Sequence, residues 1–301
     1  MGDSDILAVL TNTCENLANL FLDCPSTELD EETLLASDLT FAVERRDWIG
    51  MNGDEDPAGW IGKIVISYLA ESSHQLKALA LLLRERAVHA TLDPLIRAVI
   101  ERCGRVCWIL DPCVTLTQRG ARTQLELGVC ALHYAEAMVL LEASDETREE
   151  LRGWRGDHRR RVHDRFTVET NGSKKDMSDW SVDGETYPGY TEVVAFALDG
   201  HEQAKGVYAG LSGFSHPNVF FASERQHQTV VSRNVMVMHT DALERTLRIA
   251  IAAYLAAVKH WAAYFLDKEL AAEIVVEGDR LADDLDAASV LEDIPDTSHG
   301  S

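Results

Sequence analysis

Cys103 and Cys107 stand one helical turn apart, and Cys130 and His133 lie three positions apart on what reads as the following helix. Two such pairs facing each other would supply the Cys3His donor set of a tetrahedral zinc site. Zinc ligands come more often from C-x2-C knuckles than from mid-helix positions, and small cysteines also suit close helix packing. Packing is the simpler account, and no metal is expected. Glu71 with His74 and Glu224 with His227 have the E-x-x-H spacing of carboxylate-bridged di-iron bundles, but the second pair falls outside a convincing helix. Ser212 and His216 are of nucleophile and base type. No G-x-S-x-G elbow or third orienting group accompanies them, so a turn cap for Ser212 or Ser215 and a polar pocket for His216 is the simpler reading. The chain lacks a Walker A loop, G-x-G-x-x-G, H-E-x-x-H and paired C-x2-C, which disfavours nucleotide-dependent enzymes and leaves no cofactor expected.

Arg84 and His89 are separated by four residues near the end of a predicted helix. This spacing distantly resembles the motif of HEPN-type ribonucleases, which are all-helical dimers. The resemblance implies a histidine in proton transfer and an arginine on the phosphate, without metal. Glu85 and Arg86 follow the arginine where those families usually place a polar Asn, Asp or His, and Arg152 with His158 fits the same loose pattern. A solvated, charged helix end is the competing account. Between Arg148 and Arg165 the chain carries seven arginines, with Trp154 among them and Phe166 after them. Such a stretch could hold phosphates or stack on bases. Asp145, Glu146, Glu149, Glu150, Asp157 and Asp164 share the segment, so ion pairs along one helix account for much of it. Nucleic acid is therefore the weaker expectation there.

Arg97 and Glu101 form an i, i+4 pair on an otherwise apolar helix, and such a pair needs further polar partners when buried. Tyr208, Ser212 and His216 could supply them, giving a polar cluster that joins two helices. The stretch LDPLIRAVIERCGRVCWILDPCVTLTQRGAR, with Arg97, Glu101, Trp108, Leu110, Asp111 and Pro112, resembles a group of helical proteins common in actinobacteria. The later YAGLSGFSHPN matches that group's Y-x-x-L-S-x-x-x-H element, with Pro217 where a small residue is more usual. The resemblance spans about residues 76–266 and implies a fold without an activity.

The elements that must position these residues read as helices. Apolar side chains recur at helical spacing from Asp5 to Leu22, where Pro25 follows, and from Ala58 to about Ala90, with Glu71 to His74 as a kink. Asp93 and Pro94 read as an N-cap and first helical position, and Asp111-Pro112 as that helix's end. Further helices are expected at Thr117 to Ala143, after a Ser144 cap, at Tyr190 to Leu198, at Glu202 to Leu211, and at Asp241 to Leu266. Residues 28–59 read as short helices with an acidic loop, and residues 167–189 as an exposed polar loop. Val219 to Phe221 and Thr229 to Val237 carry the one strand signal, a hairpin within 219–237.

The expectation is thus an all-α multi-helix bundle, a single domain over 1–282, with an acidic disordered tail over 283–301. The chain carries 50 acidic against 28 basic residues, a formal charge of −22, which repels a bare phosphate backbone except at a local basic patch. The most apolar run, Ile249 to Val258, is ten residues, too short for a membrane span, and no signal peptide precedes the domain. Six cysteines without the density of a secreted scaffold suit reduced thiols in a cytosol. A cytoplasmic homo-oligomer is expected, its contact laid to the small residues of the Asp241 to Leu266 helix, with a further protein partner possible. The leading functional expectation is a non-enzymatic interaction or regulatory module linked to stress or phage defence; the alternative is a HEPN-like ribonuclease. A nuclease needs Arg84 and His89, or Arg97 and His216, open in a positively lined cleft, whereas an interaction module needs an exposed apolar patch.

Overall fold

The computed structural model describes residues 3–24, 57–85, 92–141, 143–170, 176–198, 206, 208–211, 240–266 and 268–288. They form an all-α bundle with one small antiparallel sheet. Helices α1 (Asp3–Leu22), α2 (Pro57–Arg84), α3 (Leu92–Ile109), α4 (Leu116–Leu140) and α5 (Asp145–Arg165) come first. Strand β1 (Val168–Thr170), a 3-10 turn (Met177–Asp179), β2 (Trp180–Val182) and β3 (Glu185–Thr186) follow. Helices α6 (Tyr190–Ala197), α7 (Thr240–Phe265) and α8 (Lys268–Ala288) complete the order.

The body is built by α1, α2, α3, α7 and α8, whose apolar stripes meet around Leu17, Leu69, Leu76, Ile100 and Tyr254, each less than 1% exposed. Phe21 meets Trp261 edge-on at 4.8 Å, and Ser73 Oγ and Tyr254 OH share a hydrogen bond of 2.7 Å across the core. α2 runs unbroken through Glu71 to His74, where a kink was expected; Ser72 and Ser73 are buried, and Ser73 Oγ donates to the Leu69 carbonyl one turn back. The small residues of α7, among them Ala250, Ala253, Ala257 and Ala262, are buried against the chain's own core and admit close packing on α3. Ala252 and Ala256 of the same helix are partly buried and Ala263 is exposed.

Several ends follow local rules. Ser144 Oγ accepts from Thr147 N at 3.2 Å and starts α5; Thr115 and Gln118 form a capping box at the start of α4. After α3, Asp111 Oδ1 accepts from Cys113 N at 2.8 Å and fixes the turn. α3 begins at Leu92, so Asp93 lies inside its first turn and is not the cap. At the C-terminal end α8 extends to Ala288, past the Asp283 boundary expected for the tail, and the remainder of that tail lies outside the described residues. So do the 28–56 segment and the 219–237 hairpin.

Residues 167–170 and 176–189 fold as structure, where an exposed loop was expected over 167–189. β2 pairs with both β1 and β3, in the order β1-β2-β3. The register sets Thr170 opposite Trp180 and Val168 opposite Val182. A two-residue Asp183-Gly184 turn, with φ of 48° and 81°, joins β2 to β3 as a tight hairpin requires. Met177, Trp180 and Val182 are buried beneath it, and a side chain at Gly128 of α4 would collide with Met177 Sδ. α6 lies on α3 at Gly104, where a Cβ would come within 2.5 Å of the Val193 carbonyl oxygen. Among the described residues no helix is long and apolar enough to cross a membrane.

Candidate functional site

Arg97 and Glu101 do form a cluster with Tyr208. Arg97 Nε donates to Glu101 Oε1 at 2.6 Å, and Tyr208 OH donates to the same oxygen at 2.6 Å. The guanidinium also sits 5.6 Å from the centre of the Tyr208 ring. Burial disfavours the charge of Arg97, but the hydrogen bond and charge of Glu101 outweigh it, and its proton affinity is raised. Burial, then the Glu101 hydrogen bond, likewise raise that of the Tyr208 hydroxyl. The side chains of Arg97 and Glu101 are 18% and 22% exposed, so the cluster is partly open to solvent. Ser212 and His216, the other residues expected here, lie outside the described residues.

A second cluster on α3 has no counterpart among the sequence expectations. Arg105 and Glu126 are 5% and 4% exposed and stand 3.4 Å apart, Nε to Oε2. Arg105 Nη1 donates to the Pro188 carbonyl at 3.1 Å, and its guanidinium lies 4.0 Å from the Tyr187 ring centre. Among the described residues, Arg105 Nη2 and Glu126 Oε2 are buried without a hydrogen-bond partner. Tyr68 OH and Cys130 Sγ both donate to Glu126 Oε1. Burial, then the charge of Glu126, raise the proton affinity of Tyr68 far above normal, and Tyr187 is raised in the same way. Nearby, Arg122 binds Glu185 Oε2 at 2.6 Å and the Trp108 carbonyl, and Gln118 binds Glu185 Oε1 at 2.9 Å. These interactions tie the small sheet to α3 and α4. An arginine among core positions of α3 was the available signal; its partner on another helix has no fixed sequence spacing.

The metal reading finds no support in this arrangement. Cys103 Sγ bonds Ser72 Oγ at 3.7 Å, Cys130 bonds Glu126 at 3.3 Å, and His133 is exposed. Among the described residues, no three metal-ligating side chains gather. Burial pushes the Cys14 and Cys103 thiols up to about 12 and the Cys107 thiol well above its usual value.

Of the residues tied to the ribonuclease resemblance, Arg84 is half exposed and ion-paired with Glu15 of α1, while His89 lies outside the described residues. Arg152 is 68% exposed and paired with Glu149, whereas His158 is buried with Nε2 at 3.0 Å from the Gln124 carbonyl. The two therefore occupy different environments. Burial lowers the proton affinity of His158, the Gln124 hydrogen bond opposes this, and Arg161 and Arg159 add to the lowering. Arg148 and Arg160 pair along α5 with Asp145 and Asp157, as the charge pattern suggested.

α4 changes character along its length. From Leu116 to Val129 it is largely buried; beyond Cys130 it is mostly open, with Tyr134 and Val139 both 54% exposed, Leu140 83% and Leu141 70%. Trp154 on α5 is 41% exposed. α5 packs mainly on α4, burying only His158 and Val162 fully, so the two helices form a hairpin whose turn carries exposed apolar side chains. Large apolar residues clustered in the open mark a contact surface more often than scattered ones do. The chain matches no known protein family, no curated protein and no solved structure.

Proposed function

We propose that this chain is a non-catalytic helical interaction module that pairs with a second copy of itself through the hairpin of α4 and α5. The observation that carries this reading is the run of exposed Tyr134, Val139, Leu140 and Leu141 at the end of α4. No catalytic demand explains four large apolar side chains held in water, whereas a partner surface does. The charge layout of α5 favours a second copy as the partner. Its first ten residues carry Asp145, Glu146, Glu149 and Glu150 against Arg148 and Arg152, and the remainder carries Arg155, Arg159, Arg160, Arg161 and Arg165 against Asp157 and Asp164, so the first part is net acidic and the second net basic. Two such helices meeting head to tail about a two-fold axis set the acidic half of each against the basic half of the other.

Sedimentation equilibrium of the full chain against a Leu140→Glu, Leu141→Glu double variant tests this. The expected outcome is a dimer that falls to single chains in the variant with its helical content unchanged. A wild-type chain that stays single at high concentration, or a variant that still dimerises, would sink the reading.

A further inference from the structure

Helix α5 is held lightly. Of its 21 residues His158 and Val162 alone are buried, one turn apart on one side of the helix. His158 Nε2 lies 3.0 Å from the Gln124 carbonyl oxygen of α4, which accepts and cannot donate. The proton of the neutral ring is therefore on Nε2, and Nδ1 is its basic nitrogen. The ring stacks on Trp154, four residues back, with centroids 5.1 Å apart and planes within 3°. Gly128 of α4 and Met177 of the 3-10 turn stand beside it, and the approach of Met177 Sδ to Gly128 shows how closely helix and turn meet there.

The charges that act on this ring are those of Arg161 and Arg159, both on α5 and both of the sign the ring would take on protonation. From α4 it faces a main-chain carbonyl and a glycine, from the turn a methionine, and from α5 Trp154, Arg155 and Arg159. Among the described residues none of these is a carboxylate. Glu136 of α4 and Asp176, just before the turn, act on Arg155 instead. A proton added at Nδ1 thus puts a charge into a site that is 2% exposed, with no counter-ion facing it. The face of Trp154 attracts an imidazolium, but at a ring 41% exposed that attraction is smaller than the cost of enclosing the charge. Burial accordingly lowers the proton affinity of His158, with the Gln124 hydrogen bond acting against it.

We infer that His158 is an acid-sensitive latch, which seats α5 on α4 when neutral and loosens it when protonated. Its enclosed ring is one of two buried side chains on α5, so its loss removes a large share of what holds that helix. α5 packs mainly on α4, outside the body of α1, α2, α3, α7 and α8, so the body can stay folded while α5 moves. Above the ordinary histidine value of 6.5 the ring is neutral whether α5 is seated or free. As the pH falls below it, the freed helix takes a proton before the seated one does, and seating weakens until the lowered value of the seated ring is passed. The latch acts within one chain and does not depend on pairing between copies.

Hydrogen exchange of the full chain at about pH 7.5 and about pH 5, with intrinsic rates corrected, tests the inference. α5 should lose protection by about tenfold at the lower pH, the effect of one pH unit between the two protonation midpoints, while α2, α3 and α7 keep theirs. His158→Gln, whose amide can donate to the Gln124 carbonyl and does not titrate, should protect α5 equally at both pH values. The Leu140→Glu, Leu141→Glu variant should respond as the wild type does. Should His158→Gln fail to fold, the emission of the wild type less that of Trp154→Phe isolates Trp154, which changes as the stacked His158 gains its proton, with a midpoint expected below about 6.5. Equal protection of α5 at both pH values in the wild type, a loss shared by the body, or an equal loss in His158→Gln would overturn it. So would a response that disappears in the Leu140→Glu, Leu141→Glu variant, or a Trp154 midpoint at or above about 6.5.

Discussion

Along α3, Arg97 and Arg105 carry the same charge about two turns apart, and each is set against a glutamate. Arg97 meets Glu101 on its own helix at 2.6 Å, with Tyr208 completing the oxygen's shell and the cluster partly open to solvent. Arg105 meets Glu126 from another helix at 3.4 Å, both almost wholly enclosed, with one polar atom of each left without a hydrogen bond among the described residues. The half-open pair keeps part of its water and forms good hydrogen bonds. The enclosed pair loses its water and recovers only part of that loss, so its members depend strongly on one another. A buried pair of this kind says more about which helices must meet than about net stability.

Chemical denaturation of single and paired variants can break this contrast. The largest effect is expected for Glu126→Leu, which strands the Arg105 charge and should cost about 3–5 kcal/mol. Adding Arg105→Met to it should recover most of that loss. A double variant as unstable as the single would show that the pair contributes net stability and that the contrast is misdrawn. Gly104→Ala should come next, at about 1–3 kcal/mol, because the new methyl meets a main-chain oxygen of α6 that cannot swing aside. Tyr208→Phe should be the mildest, about 1 kcal/mol, since Glu101 keeps its bond to Arg97. A loss as large as that of Glu126→Leu would place the Tyr208 cluster among the enclosed ones.

The same two clusters show how far the sequence was legible. Arg97 and Glu101 could be paired from their spacing on one helix, and Tyr208 from a second motif, because helical periodicity fixes which side chains share a face. The pairing of Arg105 with Glu126 depends on how α3 and α4 pack, which no local pattern encodes. The all-α fold was likewise readable from periodicity, down to the Ser144 cap. The small sheet was missed although Asp183-Gly184 is the turn dipeptide a hairpin favours. Its strands span only two or three residues, too short for an alternating pattern to show, and the surrounding polar residues read as loop. The exposed end of α4 was invisible for the opposite reason. Leu140 and Leu141 continue a helix whose earlier apolar residues are core, and only packing reveals where that core stops.

The cysteines turn the boundary between body and hairpin into a chemical one. Cys14, Cys103 and Cys107 are enclosed and held protonated, so an alkylating reagent can reach them as thiolates only when helices part. Cys113 is exposed, whereas Cys130, exposed as a residue, turns its thiol to Glu126 Oε1, and burial and then the charge of Glu126 push it up to about 11. Modification of Cys130 reports on release of its bond to Glu126 in the hairpin, while the slow modification of Cys14, Cys103 and Cys107 is a clock for opening of the body. The two rates together separate motion of the hairpin from loosening of the core that supports it.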